Sequence, residues 1–177
     1  MVGRFLRFFA YFAFFVLALL FFAPKAGMYY LLEHELKTYD VLISGETLQE
    51  SGFGLNIKDA HVFVKSIEGA VMKECDITLL LLYNTINAKE ITLSQSLKSF
   101  VPLKIDTVQI SHTILNPLRI KLHADGEFGR AEVSLHIFEK TLHAELMPSE
   151  IMNKEYKNSL TEFAKSENGG LVYDKSF

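Results

Sequence analysis

The sequence predicts a mainly β protein with α-helical segments: an N-terminal single transmembrane helix, a curved antiparallel β-sheet domain and a C-terminal amphipathic helix. Three observations lead to this prediction. Apolar residues fill positions 5–23, apolar and polar residues alternate over most of positions 39–146, and the apolar spacing becomes helical after Pro148. A period of two is typical of strands with one buried face, whereas spacings of three and four indicate an amphipathic helix.

The first element is the apolar run at positions 5–23, which is interrupted only by Arg7. Crossing the hydrocarbon of a bilayer takes roughly 20 apolar residues in a helix, so this run and its flanks are long enough. The helical pattern continues beyond Pro24-Lys25 to position 36. We therefore assign positions 5–36 to a transmembrane anchor and a juxtamembrane helix.

The positive charges Arg4 and Arg7 lie on the N-terminal side of the run, which favours an N-terminus inside the cell. Residues 1–4 are then a cytoplasmic tail and residues 37–177 an exported, periplasmic domain. A cleaved signal peptide is the alternative, because it has the same basic start and apolar stretch. Cleavage after Ala23 or Ala26 would place Phe21 or Pro24 at the −3 position, which favours a retained anchor.

The exported part consists of short alternating segments rich in β-branched and aromatic residues, and turn-forming residues separate them. The turns are expected at Ser51-Gly52, Glu68-Gly69, Asn84, Asn116-Pro117 and Asp125-Gly126. This pattern predicts antiparallel strands that are mostly joined as hairpins. The unbroken run at positions 79–82 predicts a strand covered on both faces.

One hairpin can be assigned a register. With a turn at Glu139-Lys140, apolar residues pair with apolar residues and polar with polar, His136 lying opposite His143. The apolar pairs are Val133 with Leu146, Leu135 with Ala144 and Ile137 with Leu142. Extending this face over the other strands predicts an apolar groove formed by Val62, Val64, Leu79, Leu81, Ile91, Leu93, Leu118, Ile120, Leu122, Leu135 and Ile137.

The last element is an amphipathic helix at positions 149–166, for which Ser149 is the expected N-cap. Its apolar face is expected to act as a lid on the sheet through Met152, Tyr156, Leu160 and Phe163. Docking of this face on a membrane or a partner is the alternative interpretation.

Composition excludes several classes of function. Three of the 18 basic residues, Arg4, Arg7 and Lys25, lie in or beside the anchor, whereas all 21 acidic residues follow it. A nucleic-acid partner is therefore not expected, because binding phosphates requires clustered lysine and arginine. The single cysteine, Cys75, excludes an intrachain disulfide and a cysteine-rich zinc site. Its two acidic neighbours disfavour the thiolate, so a reactive thiol is not expected either.

No catalytic constellation is visible in the sequence. The facing pair His136 and His143 has only Glu145 as a third neighbour, so a solvated polar face is a better interpretation than a metal site. Nucleophile-elbow, P-loop and dinucleotide-binding motifs are missing. We predict a protein that is not an enzyme and that uses no cofactor and no metal.

The segments at positions 54–67, 76–83 and 86–93, with the Lys58-Asp59-Ala60 step at the end of a strand, resemble the AsmA-like superfamily, including protein N of type II secretion systems. The resemblance covers roughly positions 39–146. It implies an inner-membrane protein of Gram-negative bacteria whose curved sheet offers an apolar groove. The longer members are implicated in phospholipid traffic to the outer membrane, whereas the shortness of this chain implies an accessory or oligomeric role.

Two functional hypotheses follow. The chain is either an inner-membrane-anchored periplasmic module of envelope biogenesis that binds membrane lipid or an envelope β-protein, or a scaffold subunit of a secretion or motor assembly. Its expected partners are lipid, other envelope proteins and further copies of the chain.

Overall fold

The computed structural model describes residues 2–80, 82–166 and 169–177, with side chains from residue 4 onward. Two helices come first, α1 (Val2–Phe22) and α2 (Lys25–Thr38), and they are separated at Pro24. Proline cannot donate a backbone hydrogen bond, and it disfavours helical geometry in the residue before it. The apolar pattern of positions 5–36 is therefore divided between two helices.

Helix α1 is long and apolar enough to cross a membrane from Arg4 to Phe22, features that a signal sequence shares. None of its residues from 4 to 22 is buried. Helix α2 instead packs on the sheet through Tyr29 and Lys25, both of which are buried. The second half of the predicted anchor segment thus belongs to the folded domain.

Within the described residues, eleven strands form one antiparallel sheet. They are β1 (Val41–Ser44), β2 (Thr47–Ser51), β3 (Gly54–Val64), β4 (Ile67–Leu80), β5 (Tyr83–Leu93), β6 (Lys104–Thr113), β7 (Arg119–Gly126), β8 (Gly129–His136), β9 (Thr141–Pro148), β10 (Ala164–Lys165) and β11 (Leu171–Ser176). The spatial order is β1-β3-β4-β5-β6-β7-β8-β9-β11-β10, and β2 continues the line of β1 along β3. The predicted mainly β fold with hairpin connections is confirmed.

The sheet has one apolar and one polar face. Paired residues form rows across it, and the longest apolar row contains Ile57, Cys75, Ala88, Val108, Ala124, Ala131, Leu146 and Leu171. The next polar row contains Asn56, Asp76, Asn87, Gln109, His123, Glu132 and Glu145. Each face keeps its character over the hairpins, as alternation predicts.

A line of charged residues interrupts the regular ladder of the central strands. Asp59 and Glu90 have positive φ angles of 55° and 50°, and the register of β6 and β7 shifts beside Asp106. Lys73 lies between the first two on β4, and its Nζ is 2.6 Å from the Glu90 carboxylate. Such irregularities bend strands and increase their twist.

Two apolar clusters cover the apolar face. In the first, Tyr29 of α2 packs on Leu55, Ile57, Ala60, Cys75 and Ala88. In the second, Met152 packs with Ala124, Phe128 and Leu146, and the half-buried Tyr156, Leu160 and Phe163 join it. The four predicted lid residues therefore do share one cluster on the apolar face.

The predicted helix over positions 149–166 is wrong in extent. Helix α3 spans only Glu150–Glu155, followed by a 3₁₀ turn at Lys157–Leu160 and by β10. Ser149 is the N-cap, as predicted, and its hydroxyl accepts from the Met152 amide at 3.1 Å. The Ser159 hydroxyl donates to the Phe100 carbonyl at 2.6 Å, which ties this segment to the β5–β6 loop. That tertiary contact overrides the helical spacing.

The register predicted for the β8–β9 hairpin is shifted by two residues. Leu135 lies opposite Leu142, Val133 opposite Ala144, and His136 opposite Thr141 rather than His143. The turn occupies the four residues 137–140 instead of two. A shift of two leaves every side chain on its own face, so the face assignment is correct although the pairing is not.

Candidate functional site

An apolar cavity lies between α2 and the apolar face of the sheet. It has a volume of about 320 Å³, at the lower end of the range typical of ligand pockets. Leu55, Ile77, Leu79, Ile86 and Ile110 line it from the strands, and Met28, Tyr29 and Leu32 line it from the helix. The lining is thus dominated by aliphatic and aromatic side chains, which suit an apolar ligand.

Helix α2 reaches the sheet because its contacts recur at helical spacing. Lys25, Tyr29 and Leu32 are four and three positions apart, so they share one side of the helix. The Tyr29 hydroxyl donates to the Glu46 carboxylate at 3.2 Å, and burial followed by this carboxylate raises the pKa of the phenol. Tyr29 therefore stays neutral and fixes the helix over β3.

Lys25 caps the C-terminus of α1. Its Nζ donates to the carbonyl oxygens of Leu20, Phe21 and Ala23, each at 2.9 Å. The last carbonyls of a helix have no partner within the helix and carry partial negative charge, which an ammonium group neutralises. The next residue, Ala26, donates its amide to the Glu50 carboxylate on β2. This arrangement connects α1, α2 and the sheet at one point.

Polar groups enter the cavity lining mainly at one end. Asn84 of β5 and His112 of β6 are directly opposite each other, and both line the cavity. The His112 Nε2 is 3.1 Å from the Pro117 carbonyl oxygen in the β6–β7 loop. Lys25 and Met28, at the start of α2, belong to the same lining. We call the end of the sheet at which α2 begins the anchor end.

The predicted groove residues have three different outcomes. Val62, Leu79, Ile91, Leu93, Ile120, Leu122 and Leu135 are all half-buried on the apolar face. Val64, Leu118 and Ile137 are exposed at the ends of the sheet, and Leu81 lies outside the described residues. Leu118 and Ile137 belong to connecting loops, where the alternation no longer applies.

Of the predicted groove residues that the structure describes, only Leu79 lines the apolar cavity. Leu55, Ile77, Ile86 and Ile110 were not predicted. Ile77 alternates in step with Leu79, whereas Leu55 and Ile86 are out of step with the predicted residues of their strands, which lie beyond the irregularities at Asp59 and Glu90. The spacing of Lys25, Tyr29 and Leu32 was the available signal for α2. The apolar residues of α2 directly follow those of the anchor, so the sequence alone does not distinguish the two helices.

The expected double coverage at positions 79–82 is also wrong. Strand β4 ends at Leu80, and Leu80 and Leu82 are exposed beside the β4–β5 turn. Leu80 and Leu82 therefore lie at the anchor end of the sheet and not at the centre of a two-sided layer.

The histidines of the polar face make ion pairs with carboxylates. His143 Nδ1 is 2.6 Å from Asp174 and its Nε2 is 3.1 Å from Glu145, and these hydrogen bonds raise the pKa of the imidazole. Within the described residues, no group of three metal-ligating side chains is placed to hold an ion. Cys75 is buried on the apolar face, and burial, with a smaller effect of Asp76, raises the pKa of its thiol to about 11.

Comparison of the chain with protein-family models, with curated proteins and with solved structures finds no match.

Proposed function

We propose that the chain is a single-pass inner-membrane protein of Gram-negative bacteria whose periplasmic sheet domain binds a membrane lipid by its acyl part. The observation that carries the proposal is the apolar cavity of about 320 Å³ between α2 and the apolar face. Such a cavity offers an acyl chain the same environment as the bilayer interior, so transfer costs little free energy.

The position of the cavity supports this proposal. Its lining includes Lys25 and Met28, which follow the apolar α1 within a few residues. Leu79, Asn84 and His112 belong to one row across the strands at this end of the sheet. A lipid that leaves the bilayer beside α1 would therefore reach the cavity over a short path. The polar groups of Asn84 and His112 would face its headgroup or ester region.

The apolar face also extends beyond the cavity. Ile120, Leu135 and Leu142 continue the row of Leu79 across β7, β8 and β9, and each is only half-buried. This strip runs between the two regions covered by α2 and by the segment after β9. The resemblance to AsmA-like proteins, whose curved sheets offer an apolar groove, agrees with a lipid path along it.

The test is site-specific photo-crosslinking in full-length protein made in bacteria. A photoreactive amino acid at Ile110, which lines the cavity, should crosslink to phospholipid. The matched control is Gln109, the exposed residue before it on the opposite face of the same strand. Lipid adducts at Ile110 and not at Gln109 support the proposal, whereas equal yields at both positions would refute binding in the cavity.

A cavity-filling variant provides a second test. Ile77→Phe places extra volume in the cavity and should reduce the lipid that copurifies with the protein in mild detergent, as measured by mass spectrometry. The control is Ile67→Phe, on the same strand but exposed at the other end of the sheet. If Ile77→Phe retained as much lipid as Ile67→Phe, the cavity would not be the binding site.

The scaffold hypothesis has one observation in its favour. Strand β10 pairs only with Leu171 and Val172, so the outer side of β11 from Tyr173 to Ser176 has no strand partner within the described residues. A partner strand could add there by backbone hydrogen bonding. Copurification of an envelope protein without lipid, lost on proline substitution of Ser176 on the outer side of β11, would favour this function.

A further inference from the structure

The turns at the anchor end of the sheet are apolar and exposed. Leu115 and Phe138, at the tips of the β6–β7 and β8–β9 connections, are 90% and 82% exposed. Leu82, Ile114, Leu118 and Phe177 are exposed beside them. An exposed apolar surface of this extent is uncommon on a soluble monomer and indicates an interaction site. We call these six residues the apolar rim.

Backbone hydrogen bonds make the rim continuous. The Ile114 amide donates to Leu82 at 3.1 Å, the Ile137 amide to Leu118 at 2.8 Å, and the Phe177 amide to Lys140 at 3.0 Å. Each bond joins one connection to the next along the sheet. The rim is therefore held in fixed geometry by the strands that it connects.

The opposite end of the sheet has a different character. Its turns contain Lys65 and Ser66 between β3 and β4, and Glu127 between β7 and β8. The exposed Phe100 in the β5–β6 loop is isolated next to Lys98 and Ser99. Val64 and Ile67, which flank the β3–β4 turn, are also exposed at this end. The anchor end differs because its connections carry the most exposed apolar tips of the described sheet, Leu115 and Phe138.

Helix α1 joins the sheet at this same end. The rings of Phe21 and Phe53 pack edge to face with centroids 5.4 Å apart, and Phe53 is the tip of the β2–β3 turn. The Leu79 amide donates to the Phe53 carbonyl at 2.9 Å, which links this turn to the end of β4. A bilayer that contains α1 up to Phe22 would therefore lie next to the rim.

Two basic side chains follow the rim at the start of β7. Arg119 and Lys121 begin β7, directly after Leu118, and neither forms an ion pair in the part of the chain that the structure describes. The Arg119 guanidinium donates to the Ser134 hydroxyl at 3.1 Å, and its Nε is buried without a hydrogen-bond partner. Basic groups that follow an inserted apolar strip would lie near the phosphates of the lipid headgroups, as in other interfacial segments.

We propose that the apolar rim inserts into the interfacial layer of the leaflet from which α1 emerges, so that the sheet stands on the bilayer. This inference rests on the proposed membrane anchor. Insertion brings the end of the cavity marked by Asn84 and His112 to the depth of the headgroups. Lipid then passes between bilayer and cavity without crossing water.

Depth-dependent fluorescence quenching tests the proposal on full-length protein in nanodiscs of phosphatidylethanolamine and phosphatidylglycerol. Single cysteines replace Leu115, Phe138, Phe100 or Tyr11 in a Cys75→Ala background, and each carries the same fluorophore. Quenching by nitroxide-labelled lipid is compared with quenching by aqueous iodide. Phe100 is the matched control, because it is an exposed aromatic residue at the opposite end, and Tyr11 reports independently on α1.

We expect the labels at Leu115 and Phe138 to show lipid quenching several-fold stronger than the label at Phe100, and weaker iodide quenching. If the Tyr11 label is quenched by lipid but the labels at Leu115 and Phe138 behave like the label at Phe100, rim insertion is refuted and the membrane anchor is supported. A Tyr11 label exposed to iodide would refute the anchor and rim insertion together. Crosslinking at Ile110 reports on the cavity separately.

Discussion

Phe21, in the last turn of α1, packs its ring edge to face on Phe53 at the tip of the β2–β3 turn, with centroids 5.4 Å apart. Together with Lys25 and the Ala26–Glu50 hydrogen bond, this contact fixes the direction in which α1 leaves the sheet. The structure thus defines which end of the domain faces α1, and each of the first two predictions concerns this junction.

The first prediction concerns Gly52, which lies against the Phe21 ring. A Cβ at this position would overlap the ring, so Gly52→Ala should displace Phe21 and abolish a contact that contributes about 1 kcal/mol. Distances between spin labels in α1 and in the sheet should become more broadly distributed. Gly69→Ala is the control, because a Cβ there meets its nearest atom, the Val62 carbonyl oxygen, at 3.6 Å. Identical distance distributions in the two variants would contradict the prediction.

The second prediction concerns the cap formed by Lys25. Lys25→Met removes an ammonium group that serves three carbonyls and should lower the free energy of unfolding by about 2 kcal/mol. Urea titration in mild detergent measures this change. Lys37→Met removes a lysine of the same helix whose side chain is about half exposed and whose only described ion pair, at 2.8 Å, is to Glu33, so its effect should be within about 0.5 kcal/mol. Equal losses in both variants would mean that the cap contributes nothing specific.

The third prediction concerns pH. The hydrogen bonds of His143 to Asp174 and then to Glu145 raise the pKa of the imidazole in the folded state. Stabilisation by the charged form is therefore fully present below the ordinary histidine pKa, and it is lost as pH rises through the folded-state pKa. The difference in melting temperature between the unaltered protein and His143→Gln should be larger at pH 5.5 than at pH 8.5. The exposed His34 on α2 is the control position, and His34→Gln should show no such trend.

The fourth prediction concerns Cys75. With its pKa raised to about 11 by burial and by Asp76, the thiol should not react with maleimide at neutral pH in the folded protein. Labelling should become complete in denaturant. A cysteine placed at Phe100 in Cys75→Ala should react rapidly under the same native conditions. Fast native labelling of Cys75 would show that the apolar face opens around it.

Alternation was sufficient to predict the faces of the sheet but not its register. Leu135 and Val133 are on the apolar face as predicted, yet their partners differ by two residues, because a shift of two preserves the pattern. The turn determines the register, and the four residues from Ile137 to Lys140 are not of a type that specifies a two-residue loop.

The elements that the sequence did not predict depend on tertiary contacts. The apolar spacing of Met152 and Tyr156 correctly identified a covering segment, but the length of α3 is limited by the anchoring of Ser159 at Phe100. Likewise, the sequence of α2 continues the apolar pattern of the anchor, and its separate role depends on the tertiary contact of Tyr29 with Leu55. The cavity needs α2, and the packing of α2 on the sheet does not follow from local pattern alone.

The order of the strands has a consequence for how the chain folds. From β3 to β9 every strand pairs with its predecessor in the sequence, so each addition closes only a short loop. Proteins dominated by such local contacts fold faster than those built from distant pairings. A chain that is exported N-terminus first could add its strands one at a time as they emerge. Strand β11 must pair with β9 across the segment containing α3, so β11 and its partner β10 have to wait for the C-terminus.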